Sequence, residues 1–486
     1  MNVRRVLWVL GLVLYVLAAA QIAPLLVSLH PFDPEAATAF LVGSATSASL
    51  AVLFRTRGSR EGELYRRDGV LIVVGSWLLA SLVGALPYVL CGAIPNPIDA
   101  LFESVSGFTT TGASILTDVE VVPRAVLFWR GLTQWLGGVG LVVIFVALLS
   151  ELGPGARMLI QLEVPGPKAE ILHARVQQTA SALFRIYLEL TLAQTVAMLV
   201  LGASLFDALV HSFATISTGG FSSYNASVGV FSWPIQLVVT LFMLASGLNF
   251  SLYYLLLRRR DLGVLRDREL RAYLAIVGGV IALVCFDLVR AGMGAGDGIA
   301  GLPKLVLDVA FSVASVITTT GFMTVDFDRW PETSRWLLVT LMFIGGCAGS
   351  TAGGIKVIRV LVAWSAAMRE VRLTFSPNAV VAVMMGDKPV PEESIRAVMA
   401  LIGLWFLAWI VGTAILTLGD VDLVTAATAS ISTLSNVGPG LGRVGPTTNY
   451  AFFGDGQTFA MVVLMWLGRL EFFAILALAD PRFWRR

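Results

Sequence analysis

Four short apolar segments that run into threonine or serine and end on glycine constrain this 486-residue chain more than any other feature. "DALFESVSGFTTTG" (99–112), "DALVHSFATISTGG" (207–220) and "DVAFSVASVITTTG" (308–321) align without a gap. The fourth, "DLVTAATASISTLSNVG" (422–438), is three residues longer from its Asp, or equal in length if Thr425 takes the place of that Asp. Each copy opens on a residue suited to cap a helix and continues through about ten apolar or small residues. Roughly ten residues make about 15 Å of helix, half the hydrocarbon thickness of a bilayer. A segment that enters halfway and returns has to hide its non-helical backbone in protein or in a water-filled cavity, because lipid offers nothing to free N–H and C=O groups. Each copy therefore reads as a re-entrant helix followed by an extended strand.

The rest of the chain supplies the membrane setting. With 57% hydrophobic and 14% charged residues and a mean hydropathy of +0.81, the composition excludes an ordinary soluble domain. Stretches long enough to cross a bilayer lie near 6–28, 38–54, 69–90, 125–149, 181–203, 234–257, 272–289, 335–362, 397–418 and 457–480, which makes ten crossings. The expected architecture is all-α, with four pseudo-symmetric helix, pore-loop, helix units after two N-terminal membrane helices. The boundaries fall at 1–67 for the extension and 68–157, 158–262, 263–375 and 376–486 for the units. "VLWVLGLVLYVLAAA" (6–20) also fits a cleaved signal peptide, but the apolar run continues to Val27 and favours a retained helix. Lys and Arg concentrate in alternate connections: Arg4 and Arg5, 55–67, Arg157 to Arg175, 258–271, Lys356 to Lys388, and 482–486. The positive-inside rule then sets both termini in the cytoplasm. A net charge of +2 carries no nucleic-acid footprint. Cys91, Cys285 and Cys347 are too widely spaced for a disulfide framework or a zinc site.

Four such units around one axis would bring four strands together, and their carbonyl oxygens could replace the water shell of a cation. Glycine suits that position because it reaches positive φ freely and leaves the lumen open. The re-entrant helices would turn their partly negative C-terminal ends toward the ion. "IGGCAGSTAGGIK" (344–356) interrupts the third unit's second span with Gly345, Gly346, Gly349, Gly353 and Gly354 around Ser350 and Thr351. Such a cluster breaks helical order, while close helix packing is its other reading. It is not a phosphate loop, since Ile355 stands before Lys356 and no Gly-Lys-Ser/Thr ending follows. Arg469 sits mid-span, at a cost of about 2.5–3.5 kcal/mol, so it must face a cavity or a partner. Glu471, two residues on, points to another helix face. Glu103 and His211 share an offset in the first two re-entrant helices; their unlike chemistry points to packing or hydrogen bonding behind the strands. His30 and His173 fall in predicted loops and suggest nothing specific.

These residues resemble the Trk/Ktr/HKT superfamily of potassium transport proteins, and within it the TrkH-like branch. The resemblance spans the chain and rests on "TTTGAS" (109–114), "STGGFS" (217–222), "TTTGF" (318–322), "SNVGPG" (435–440), "GGCAGSTAGGIKVIR" (345–359) and "GRLE" (468–471). It implies a K⁺ uptake subunit of the bacterial inner membrane, and no enzyme. The implied selectivity filter is Thr110, Thr111 and Gly112; Thr218, Gly219 and Gly220; Thr319, Thr320 and Gly321; Asn436, Val437 and Gly438. These residues would bind K⁺ as the transported ion, and Rb⁺ or Na⁺ to some degree. Relatives with Ser in the first filter tend toward Na⁺, so Gly112 favours K⁺, whereas Asn436 and Val437 depart most from a K⁺-channel strand. The glycine-rich stretch corresponds to an intramembrane gate loop, and Arg469 to a fixed charge beneath the filter. The resemblance further implies a homodimer in membrane lipid and a cytosolic, TrkA-like partner that carries NAD and ATP sites, with no cofactor in this chain. An alternating-access carrier coupled to Na⁺ or H⁺ is the alternative, and its mark would be two related halves. A membrane-embedded lipid enzyme would need clustered acids, histidines or metal ligands, and none is found.

Overall fold

The computed structural model describes residues 1–62, 64–138, 140, 176–258, 260–293, 301–386 and 388–484. His173, the basic run from Arg157 to Arg175, the distal part of the 125–149 span and the boundary at 157/158 lie outside the described residues. The chain opens with α1 (Val3–Ala20), the short α2 (Ile22–Val27) and α3 (Pro34–Arg57), whose start is fixed by the Asp33 carboxylate on the amide of Ala36 and by Pro34 in the first turn. Polar contacts pin this hairpin inside apolar surroundings: Ser44 donates to the Ala18 carbonyl at 2.9 Å and Gln21 to the Ser47 hydroxyl at 3.1 Å.

Four units follow. The first is α4 (Arg66–Leu90), the re-entrant α5 (Pro97–Phe108) and α6 (Arg124–Gly138). The second is α7 (Val176–Val200), the re-entrant α8 (Leu205–Ile216), α9 (Trp233–Ser246) and α10 (Phe250–Tyr253), which continues as a π turn over Tyr254–Arg258. The third is α11 (Arg268–Arg290), the re-entrant α12 (Leu302–Ile317), α13 (Glu332–Ile344) and α14 (Val357–Phe375). The fourth is α15 (Glu392–Thr417), the re-entrant α16 (Leu423–Ser435), α17 (Asp455–Arg469) and α18 (Phe473–Ala479).

Among the described residues, six helices are long and apolar enough to cross a membrane alone, and eight when each sharply bent pair counts as one span. The other two expected spans begin at α6 and at the interrupted pair α13 and α14. The second helices of the second and fourth units break where a continuous span was expected. The second unit bends by 97° between Ser246 and Phe250, and the fourth by 116° between Arg469 and Phe473. In the fourth, Glu471 and Phe472 both take φ of +56°.

The caps of the re-entrant helices also differ from expectation. They are Asn96, Ser204, Gly301 and Asp422, of which Asn96, Ser204 and Asp422 accept a backbone amide through the side chain. Only the fourth Asp is a cap. Asp99 and Asp207 stand in the first turn, still favourably placed against the positive helix end, and Asp308 lies well inside α12. Both termini reach one face: Asn2 donates its amide to Asp68 at 2.8 Å, and neighbouring Arg67 donates to the Phe483 carbonyl at 3.1 Å.

Candidate functional site

Each re-entrant helix ends in the same backbone sequence. The residue two before the terminal glycine is left-handed in every copy, with φ of +57° at Thr110, +56° at Thr218, +55° at Thr319 and +56° at Asn436. The glycines follow with φ of +79° at Gly112, +79° at Gly220, +81° at Gly321 and +102° at Gly438. A left-handed Asn is common, but a left-handed threonine is a genuine outlier, and three at one position mark an imposed geometry. The helix ends impose it: the amides of Thr111, Gly219, Thr320 and Val437 turn back to the carbonyls of Ser106, Ala214, Ser315 and Ser432 at 2.7–2.9 Å.

The strands form a closed ring in chain order. A Cβ added to Gly112 would strike the carbonyl of Gly219, one added to Gly220 that of Thr320, one added to Gly321 that of Val437, and one added to Gly438 that of Thr111. Each glycine is thus fixed twice, by its φ and by the neighbouring strand's oxygen. All four line one cavity of about 150 Å³, with Ser114, Arg130, Ser222 and Tyr450 in its wall.

The strands are braced unequally from behind. In the first and third, a hydroxyl pair ties the strand to its helix end, Thr109 with Thr111 at 2.8 Å and Thr318 with Thr320 at 2.7 Å. The second lacks a side chain at Gly219, and Gln134 of α6 fills the space, donating to the Gly219 carbonyl at 2.6 Å and accepting the Phe221 amide at 3.0 Å. The fourth has the apolar Val437, packed in the core beside Leu434 and Ile431.

Glu103 is fully buried behind the first strand, where it accepts from Ser114, the Ile115 amide and Arg130 Nε, the last at 2.7 Å. Arg130 also donates to Ser114 and to the Ser222 carbonyl of the second strand, with Phe221 against its face. His211 meets the Asp207 carbonyl through Nδ1 at 2.8 Å and Ser222 through Nε2 at 2.9 Å. A carbonyl only accepts, so Nδ1 carries the proton and Nε2 of the neutral ring accepts from Ser222. Both residues hold strands from behind rather than facing the ring.

Beneath the strands lies a buried loop, residues 345–356, that contains all seven glycine, serine and threonine candidates. Gly345, Gly349 and Gly354 take φ of +73° to +74°, which lets the chain leave α13, reverse and re-enter at α14. Its backbone interlocks with the break in the second unit: Cys347 donates its amide to Gly247 at 2.9 Å, and Phe250 donates to Gly349 at 3.0 Å. The Glu269 carboxylate accepts the amides of Ala348 within the loop and of Ile358 just after it. The loop also touches the strands, since the Gly353 amide donates to the Thr319 hydroxyl at 2.7 Å and its Cα leaves no room for a Cβ against the Ser435 carbonyl. Ser350 closes a local turn onto the Cys347 carbonyl, while the Thr351 hydroxyl donates to the carbonyls of Ile216 and Ser246.

Arg469 joins these parts. It is the last residue of α17, at the bend rather than in mid-helix. Its guanidinium donates to the Thr110 hydroxyl at 3.2 Å and to the carbonyls of Thr351 at 3.0 Å, Gly137 at 2.6 Å and Gly138 at 3.1 Å. Strand one, the loop and the end of α6 therefore meet on one side chain. Gln134, Arg130, Tyr450 and Glu269 were not singled out from sequence. Arg130, like Arg469, is a charge inside an apolar span, and the same cost argument identifies it.

Four re-entrant units closing one ring on a single chain define a multi-pass, all-α membrane protein. The family described as TrkH, cation transport protein, matches residues 36–485, and this chain belongs to it. It is 38% identical over 494 residues to the Trk system potassium uptake protein TrkH of Halomonas elongata and 37% identical over 491 residues to that of Escherichia coli K12, with 100% of both chains covered in each case. The crystal structure of the potassium transporter TrkH from Vibrio parahaemolyticus superposes with a TM-score of 0.87 at 34% identity, over 100% of each chain.

Proposed function

We propose that this chain is the ion-conducting subunit of a K⁺ uptake system and that K⁺ passes through the ring built on Gly112, Gly220, Gly321 and Gly438. The observation that carries the reading is the closed ring itself, in which each glycine abuts the preceding carbonyl of the next strand. It concentrates backbone oxygens around one axis, as replacement of a cation's water shell requires. The names of the relatives as potassium uptake proteins support K⁺ as the ion.

Loop 345–356 and Arg469 form the gate in this reading. The loop hydrogen-bonds directly to Thr319, and Arg469 sets a positive charge beside Thr110, so a cation leaving the strands meets both an obstruction and a repulsion. A cytosolic nucleotide-binding partner shifts the loop, and two copies of the chain associate in the inner membrane with both termini cytoplasmic. Purified protein in liposomes, with the nucleotide-binding subunit and its nucleotide present, passes K⁺ and Rb⁺. Absence of flux while control proteoliposomes work would sink the proposal.

A further inference from the structure

The four strands do not present their glycine carbonyls alike. The Gly438 carbonyl accepts two hydrogen bonds from protein, from Ser432 Oγ at 2.7 Å and from Tyr450 Oη at 2.6 Å. Two donors occupy both lone pairs of a carbonyl oxygen. In the first and third strands the corresponding hydroxyl reaches one residue further, Ser106 to the Ala113 carbonyl and Ser315 to the Phe322 carbonyl, both at 2.6 Å. The second strand has Ala214 at that position. Among the described residues, no protein donor reaches the carbonyl of Gly112, Gly220 or Gly321.

Two further observations agree. Gly112, Gly220 and Gly321 are each partly open to the cavity, whereas Gly438 is buried. Its φ of +102° also stands apart from the +79° to +81° of the others. Pro439 follows it, where the other strands carry Ala113, Phe221 and Phe322. Tyr450 is not free to swing away: its amide donates to the Ser114 carbonyl at 2.9 Å, its ring packs on Phe102 and Phe453, and it is 3% exposed.

We infer that the glycine ring offers a cation three carbonyls rather than four, and that Tyr450 and Ser432 are specificity-determining residues because they turn the Gly438 oxygen out of the lumen. The inference rests on the K⁺-conducting reading. Where selectivity follows the number and field strength of the coordinating carbonyl dipoles, a ring with one side withheld discriminates less and holds its ion off axis, away from the fourth strand.

Two measurements test this. The first is anomalous scattering from Tl⁺ soaked into crystals of the unaltered chain. The expected ion lies at the ring with the Gly112, Gly220 and Gly321 carbonyls as ligands and the Gly438 oxygen outside its coordination shell. A Tl⁺ ion ligated by all four overturns the inference, and this holds whether or not any variant folds. The second is the Rb⁺ to Na⁺ permeability ratio in liposomes for Tyr450→Phe and for Tyr450→Phe with Ser432→Ala. Releasing the carbonyl raises the ratio by about threefold or more, and more in the double variant than in the single. A ratio unchanged or lowered in a double variant of normal size-exclusion profile overturns it. If the unaltered chain passes no Rb⁺, the K⁺ reading itself fails, and the Tl⁺ coordination still decides the geometry.

Discussion

Thr110, Thr218 and Thr319 each hold a conformation that costs a β-branched residue about 1–3 kcal/mol, so the contacts around them have to over-determine it. Part of that work falls to Arg469, whose donation to the Thr110 hydroxyl couples the first strand to the loop carbonyl of Thr351. Truncation to Ala removes both the fixed charge and the tie. Arg469→Ala is expected to raise Rb⁺ flux severalfold without the cytosolic partner; unaltered or reduced flux in stable protein would leave the arginine a structural role only. The Glu103–Arg130 pair acts differently, because both side chains are buried and the carboxylate balances a charge that spans strands one and two. Breaking a buried pair from one side leaves the other charge uncompensated and costs about 3–5 kcal/mol. Glu103→Gln should therefore lower the thermal unfolding midpoint in detergent markedly, and a midpoint within a degree of the parent would show the pair to be energetically idle.

At the scale of elements, three of the second helices break beneath the ring among the described residues. Arg359 in the first turn of α14 pairs with Glu471 in the bend after α17 at 2.6 Å, and so ties the third unit's break to the fourth's. Reversing either charge should loosen the loop and raise partner-independent flux by about tenfold, while Arg359→Glu combined with Glu471→Arg returns it to within about threefold of the parent. Additive effects in that cycle would rule out coupling through the pair. The breaks also mark where the sequence stopped being readable. The glycine-rich interruption at 345–354 was legible because its cause is local, and the four re-entrant segments because an apolar length, a Thr/Ser pair and a glycine recur together. The bend at Gly247 was not, since a single glycine there is unremarkable in sequence and the break is fixed by Cys347 and Phe250 hydrogen bonds to a loop a hundred residues away. Gln134 escaped for the same reason: its hold on Gly219 spans 85 residues and leaves no local pattern. The caps of α5 and α8 were misread because Asn96 and Ser204 sit just ahead of the repeated Asp, outside the aligned segment.

At the scale of the whole molecule, fusing four units into one chain lets each strand diverge while the ring stays closed, and the closure predicts how damage travels. A side chain placed on one glycine pushes against the next strand's oxygen, so Gly112→Ser acts on strand two, Gly220→Ser on strand three, and Gly321→Ser on strand four. Each should raise Na⁺ permeability relative to K⁺ by displacing a neighbouring carbonyl that was not itself mutated. Gly438→Ser differs in two respects. Its Cβ would lie 2.8 Å from the Thr111 carbonyl, the loosest approach of the four, and its own carbonyl is already committed to Ser432 and Tyr450. A positive φ still strains any side chain there, so stability falls in all four variants. The ion-selectivity change, however, should be smallest for Gly438→Ser. The panel is read as K⁺ to Na⁺ flux ratios in liposomes, each normalised to the amount of folded protein. Equal loss of selectivity at all four positions would mean that the ring behaves as a symmetric fourfold site in spite of its unequal strands.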